Sequence, residues 1–291
     1  MRYIDPVANA PGADLMTTAA SIITLLTDFG IQDYFVAAMK GVILAANPAA
    51  RIVDISHEIP PQDIQAGGFN LLAAYQHFPV GTIHVGVVDP GVGSERRAII
   101  IECAGQFLVG PDNGLFSFVV QREGNYRVHQ VTNEKFFRQP VSNTFHGRDV
   151  FAPVAAALSN GTEARAFGPR LDSIVELQSL TPQQTPDGTI NGAIIHIDRF
   201  GNCITNLTTR ELGPHHDYPL EINISGRQIT SYRQFFSQTP DVGDELFLYL
   251  GSAGFIEIAA CNASAAAILN AQRGQGVAVH KRPVNHETCS R

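Results

Sequence analysis

What most constrains this chain is a series of short apolar runs, each cut off by a turn that carries an acid. The clearest is Thr82-Ile83-His84-Val85-Gly86-Val87-Val88, which reads as a buried strand and is ended by Asp89-Pro90-Gly91-Val92-Gly93. Proline removes a ladder donor and glycine breaks the strand, so Asp89 is left at the carboxyl end with Arg96 shortly beyond. In open α/β sheets the carboxyl ends of the strands are where ligands sit. An acid and an arginine flanking a glycine turn make either a structural ion pair or the core of a site, and the decapeptide Val88–Arg97 leaves both open.

The same grammar runs through the first half. Ser21–Leu26 is an apolar run ending at Thr27-Asp28-Phe29-Gly30, and Arg51–Ile55 ends in Ser56-His57-Glu58-Ile59-Pro60-Pro61-Gln62-Asp63. Between them, Asp33–Asn47 has helical spacing, with Phe35, Val36, Met39, Val42 and Ile43 on one face, and Asn47-Pro48 stops it. Ile64–Phe78 is expected to be a second helix, Ala98–Cys103 and Gln106–Val109 a strand pair turning at Ala104-Gly105, and Val150–Ser159 a further helix ended by Asn160-Gly161. Strands alternating with helices imply an α/β sheet covered on both faces.

After Leu180 the pattern changes. Thr181–Gly188 is polar and turn-rich, a linker by composition. Beyond it come short strands, Ala193–Ile197, Leu220–Ile224, Leu246–Leu250, Phe255–Ala260 and Val277–His280, with one Ala-rich helix near Ser264–Leu269. The expected architecture is an α/β domain over residues 21–178 and a smaller β-barrel domain over 190–284.

Composition narrows the function. With 291 residues, 44% hydrophobic and 16% charged, the chain is globular, and its net charge of −7 argues against nucleic acid or an anionic membrane as the main partner. No apolar run is long enough to span a bilayer. Residues 1–20 lack a continuous apolar segment and read as a loose tail, with Met16 an alternative start. Cys103, Cys203, Cys261 and Cys289 are scattered, without zinc or redox spacing; the first three lie in apolar strand-like surroundings and read as buried thiols, and a reducing cytoplasm is the simplest compartment.

The acids Asp28, Asp54, Asp63 and Asp89 could gather a divalent metal, but neither HExxH nor DxD spacing is present. Pro90-Gly91-Val92-Gly93 is neither GxGxxG nor a P-loop, so no usual nucleotide cofactor is implied. Phe145-His146-Gly147-Arg148-Asp149 either caps the following helix or presents a titratable imidazole at its start.

Taken together and in order, Thr27–Gly30, Asp54–Pro61, Val88–Arg97, Gly110–Phe116, Phe145–Asp149 and Asp198-Arg199-Phe200-Gly201-Asn202 resemble the S-adenosyl-L-methionine hydrolase (hydroxide adenosyltransferase) family, relatives of the fluorinases and chlorinases. The resemblance spans about Ile22–Val279. It implies hydrolysis of S-adenosyl-L-methionine to adenosine and L-methionine, with no cofactor and no metal. It implies a homotrimer whose active sites lie between the first domain of one subunit and the second of its neighbour. The family's Asp–Arg–His triad falls on Asp89, Arg96 and His146. Asp28 matches the acid that grips the ribose hydroxyls, and Asp33 and Asp198 match acids facing the methionine ammonium. Phe200, Asn202, Ser252 and Ala263 match the adenine end, whereas Ala253 stands where halogenases carry an arginine. Halogenases also carry Tyr-Ser at His146-Gly147 and a non-acidic residue at Asp89, which favours water over halide as nucleophile. The alternatives are a metal-dependent hydrolase, a halogenase-like adenosyltransferase, and a sensor that binds S-adenosyl-L-methionine or adenosine without turnover. His57 and His84 are read as structural.

Overall fold

The structure, a computed structural model, describes residues 21–212, 220–234 and 245–281. The expected N-terminal tail with Met16, Cys289 and the 284 boundary lie outside them. The first sheet is built from β1 (Ile22–Thr27), β2 (Arg51–Ser56), β3 (Ile83–Val87), β4 (Ala98–Cys103), β5 (Gln106–Pro111), β6 (Tyr126–Gln130) and β7 (Arg170–Leu171), in the order 2-1-3-5-4-6-7. β2, β1, β3 and β5 run parallel, and β4, β6 and β7 pair antiparallel. β1 and β3 are almost wholly buried, so they read as continuous apolar runs rather than as alternating ones.

Both faces are covered, as expected. α1 (Phe35–Ala46) contributes Met39 and Ile43, and α4 (Ala152–Ser159) contributes Val154 and Ala155, to a core with Ile23 and Leu25 of β1. On the other face α2 (Ile64–Ala74) and α3 (Ser117–Glu123) bring Phe69, Leu71, Phe118 and Val119 against Leu26. α2 stops at Ala74 and tightens into a 3₁₀ turn over Tyr75–His77, short of the Phe78 that periodicity suggested.

The second sheet is formed by β8 (Gln183–Gln184), β9 (Ile190–Ile197), β10 (Cys203–Thr208), β11 (Leu220–Ile224), β12 (Arg227–Ile229), β13 (Leu246–Leu250), β14 (Phe255–Ala260) and β15 (Gly276–Lys281). The order is 12-11-15-9-10-14-13, all antiparallel, with β8 on β9. Its two ends meet: Tyr232, just past β12, bridges to Leu248 of β13, and Arg233 N–H donates to the Leu248 carbonyl at 2.8 Å. The result is a nearly closed barrel, which removes most of the exposed strand edge. Short helices α5 (Thr209–Leu212) and α6 (Ala265–Leu269) follow β10 and β14. Ser264 caps α6 by accepting from Ala267 N–H at 3.1 Å.

The two sheets share one apolar seam. Ile195, Ile204 and Phe255 of the barrel belong to the same buried cluster as α2 and α3. Phe69 stacks on His196 at 4.6 Å and meets Phe255 at 6.0 Å. Arg273 reaches Asp63 at 2.5 Å, while Asp63 also caps α2 through Ala66 N–H. Among the described residues no helix is long and apolar enough to cross a membrane. Phe69→Ala should lower unfolding free energy by about 3–5 kcal/mol, read from denaturant unfolding. A loss well under 1 kcal/mol would mean that this seam carries little of the fold.

Candidate active site

β1 is flanked by β2 on one side and β3 on the other, so the chain reverses direction of travel across the sheet at the β1/β3 boundary. That is where an open α/β sheet leaves a crevice at its carboxyl edge. Thr27 pairs with Val87 across it, which puts the turns bearing Asp28 and Asp89 on neighbouring strand ends.

Arg96 organises this edge. Its Nη2 lies 2.6 Å from Asp89 Oδ2, and its Nε lies 3.0 Å from each carboxylate oxygen. The same Nη2 lies 2.7 Å from His146 Nδ1, fifty residues away. The guanidinium also stands over the Phe151 ring, 5.4 Å from its centroid. The Asp89 and Arg96 side chains are only 4% and 11% exposed, so this ion pair is largely withdrawn from water. Guanidinium only donates, so Nδ1 is the acceptor and the ring proton sits on Nε2. Burial, then the neighbouring Arg96 charge, pulls His146 below the ordinary histidine value, against the opposing pull of Asp89 and Asp149. His146 is therefore neutral at pH 7.

Local structure explains how residues so far apart in sequence meet. Gly93 has φ +78°, and a Cβ there would drive into the Asn143 carbonyl, so the glycine turn lies directly against the loop before His146. His146 opens a single π-helical turn, Gly147–Phe151, that runs into α4. π turns are frequent at functional sites. Asp149, fully buried, accepts from Arg148 Nε at 2.7 Å, Ser142 N–H at 2.9 Å and Arg138 Nη1 at 3.2 Å. It anchors the loop around His146 rather than capping the helix. A Cβ on Gly147 would lie 3.1 Å from Met39 Sδ and 3.4 Å from the Phe29 and Phe145 rings, so the packing is fitted to glycine.

The other expected residues are distributed as follows. Asp28 is half-buried, and its Oδ2 accepts Gln62 N–H at 2.7 Å. Asp33 is exposed just before α1, beside the exposed Tyr34. Asp198, Phe200, Asn202, Ser252 and Ala263 line one open pocket of about 830 Å³ at the end of the barrel. Asp198 holds the turn there, accepting from Phe200 N–H at 2.9 Å, Asn202 N–H at 2.8 Å and the Asn202 amide at 2.8 Å. Phe200 is 78% exposed at the rim. Every residue lining the pocket comes from the barrel, and neither Asp89, Arg96 nor His146 is among them.

Sequence reasoning missed the pocket floor. Tyr249 and Glu257 face each other across β13 and β14, and the phenol donates to the Glu257 carboxylate. Burial raises the Glu257 carboxyl, with Asp198 adding to the effect, and also raises the Tyr249 phenol. A glutamate inside the apolar strand Phe255–Ala260 was the available signal. His84 is fully buried, 2.8 Å from Thr24 Oγ1 and 3.3 Å from Gln106, and burial lowers it to about 4. Among the described residues no three His, Cys, Asp or Glu side chains gather as a metal-ligating group.

The family model for the SAM hydroxide adenosyltransferase N-terminal domain matches residues 23–168, and that for the C-terminal domain of the same family matches 192–278. The chain belongs to this family. It is 39% identical to the (R)-S-adenosyl-L-methionine hydrolase of Methanocaldococcus jannaschii, over 86% of this chain and 92% of that one. It is 34% identical to the enzyme of the same name from Thermus thermophilus, over 88% and 98%. Fluorinases match at lower identity. A solved structure of an uncharacterised conserved protein from Thermotoga maritima superposes with a TM-score of 0.81 at 31% identity, covering 89% of this chain and all of that one.

Removing one partner of a buried ion pair strands the other charge. Asp89→Ala should cost about 3–5 kcal/mol of stability, measured by denaturant unfolding. Gly93→Ala should cost more than about 1 kcal/mol. Wild-type midpoints for both variants would contradict this packing of the two loops.

Proposed function

We propose that this protein hydrolyses S-adenosyl-L-methionine to adenosine and L-methionine, with Asp89, Arg96 and His146 handling the attacking water. The observation that carries the reading is the single guanidinium that joins the Asp89 carboxylate to His146 Nδ1 at the sheet's carboxyl edge. Family membership and relatives named as hydrolases support the substrate and the reaction.

The chemistry asks little of the protein beyond placement. The sulfonium makes ribose C5′ electrophilic. As the water oxygen bonds to C5′, the C5′–S bond breaks and sulfur keeps its electron pair, leaving as neutral methionine. Neither a metal nor a protonated leaving group is needed, so orientation of the water along the C5′–S axis is the main contribution. In this reading His146, protonated on Nε2, donates to the water oxygen and orients it. Asp89, whose oxygens keep lone pairs beyond the Arg96 contacts, accepts the proton. The oxygen becomes positively charged as it bonds to carbon, so its proton is acidic enough for a carboxylate to take. Arg96 fixes the orientation of the Asp89 carboxylate and cannot itself act as base.

Asp28 would hold the ribose hydroxyls, Asp33 and Asp198 the methionine ammonium, and the pocket around Phe200, Asn202, Ser252 and Ala263 the adenine. Because that pocket is lined by the barrel alone, the reading includes a trimer in which the barrel of one subunit meets the Asp89 edge of the next. The exposed Ile31, Tyr34 and Phe200 suit such a contact. Glycine at 147, where a serine Cβ would press on Met39 Sδ at 3.1 Å, favours water over halide.

Purified protein should release adenosine and methionine without added metal, undiminished by chelator, and labelled water should put its oxygen on the 5′-hydroxyl. No adenosine above the uncatalysed control would refute the function. The bond from Arg96 to Nδ1 on which the arrangement depends needs His146 neutral, and its proton affinity is lowered. The acid limb of kcat/KM should therefore fall below the ordinary histidine value of 6.5, and a limb above it would contradict the Arg96–His146 arrangement. Mixing Asp89→Asn and Asn202→Ala subunits should restore activity if sites are shared between subunits. No recovery on subunit exchange would place the whole site within one chain.

A further inference from the structure

The segment Asp54-Ile55-Ser56-His57-Glu58-Ile59-Pro60-Pro61-Gln62-Asp63 has no part in the chemistry above, yet it wraps the turn that carries Asp28. Three contacts do this. His57 Nδ1 lies 2.8 Å from Thr27 Oγ1, with both side chains buried. The His57 carbonyl accepts Gly30 N–H at 2.8 Å. Gln62 N–H donates to Asp28 Oδ2 at 2.7 Å. The turn Thr27–Gly30 is thus gripped before, at and after Asp28.

The grip is itself braced. His57 Nε2 lies 3.1 Å from Asp54 Oδ1, off the line of a good hydrogen bond, so this contact is mainly electrostatic. Asp54 is bonded in turn by Lys40 Nζ at 2.6 Å. Burial works to raise the Asp54 carboxyl, and the bond from Lys40 together with the neighbouring His57 overcomes it and holds it below its usual value. An ionised Asp54 beside Nε2 favours the proton there, leaving Nδ1 as acceptor for the Thr27 hydroxyl. At the other end, Gln62 has φ +64°, a left-handed conformation unfavourable for a non-glycine residue. That strained backbone aims its N–H at Asp28. Asp63 then fixes the segment by capping α2 and pairing with Arg273. With Oδ2 occupied by Gln62, Asp28 has Oδ1 to offer a ligand.

We propose that His57 is a positioning residue for the ribose-binding carboxylate, holding the Thr27–Gly30 turn so that Asp28 presents one fixed oxygen to a sugar hydroxyl. This rests on the reading that Asp28 binds the ribose. His57 does not touch the substrate, and its effect is on binding of the sugar rather than on the attack at C5′.

The test compares His57→Leu, His57→Asn, Thr27→Val and Asp28→Asn with S-adenosyl-L-methionine and its 2′,3′-dideoxyribose analogue. His57→Leu should raise KM for the natural substrate about ten-fold while kcat stays within about two-fold, and should erase most of the preference for the hydroxylated sugar. His57→Asn, which keeps a polar atom near Nδ1, should recover most of both. Thr27→Val, nearly isosteric, removes the same contact from the other side and should behave like His57→Leu, so the proposal is still tested if the leucine variant does not fold. If these variants keep wild-type KM and sugar preference while Asp28→Asn loses both, His57 is structural and the proposal falls. If Asp28→Asn keeps the sugar preference, the ribose reading of Asp28 itself is overturned.

Discussion

Everything at the candidate centre hangs on one guanidinium. Arg96 holds Asp89 with two nitrogens and His146 with one of them, on a bed formed by Phe151. Because arginine only donates, its presence fixes the imidazole tautomer and the orientation of the carboxylate in a place from which water is mostly withdrawn. Two loops separated by fifty residues must therefore be built to tight tolerance. The left-handed Gly93 against Asn143, the π turn after His146 and the buried Asp149 with its arginines are the means. Lose the guanidinium and neither the His146 ring nor the Asp89 carboxylate has a defined direction.

The fold divides the labour in a way consistent with the chemistry. The parallel strand ends of the first sheet, at the point where strand order reverses, hold the groups proposed to act on water and sugar. The open end of the barrel holds a pocket where Phe200 and Ala263 stand beside the Asn202 amide and the Asp198 and Glu257 carboxylates, and it is proposed to take the flat base. The shared apolar seam around Phe69, Ile195 and Phe255 links the sheets within one chain. Reaction of a sulfonium with water needs positioning and dryness more than acid–base power. The proposed site, assembled between rigid sheets, would meet that need.

Much of this was legible in the sequence because it lay in turns. The acid-bearing strand ends, the Gly93 turn and Phe145–Asp149 are local signals, and they marked the residues the fold gathers at one edge. Less visible was β10, Cys203–Thr208, where Thr205 and Asn206 are buried by bonding to backbone: Thr205 Oγ1 donates to the Ile256 carbonyl at 2.6 Å, and Asn206 Oδ1 accepts Ala193 N–H at 2.7 Å. Polar side chains satisfied in this way erase the alternation by which a strand is recognised. Tyr249 and Glu257 escaped notice because only strand register reveals that they face each other. His57 read as a structural histidine, and its contacts with the Asp28 turn depend on a parallel pairing that no local pattern encodes.

The central claim is that Asp89 acts on water during attack rather than merely holding the fold. Asp89→Asn keeps shape and hydrogen-bonding capacity while removing the charge and most of the basicity. Calorimetric titration of this variant with S-adenosyl-L-methionine, followed by single-turnover product analysis of the same sample, separates binding from chemistry. The account predicts near wild-type affinity with adenosine formation reduced by at least about a hundred-fold. Wild-type turnover by a folded, substrate-bound Asp89→Asn would contradict it.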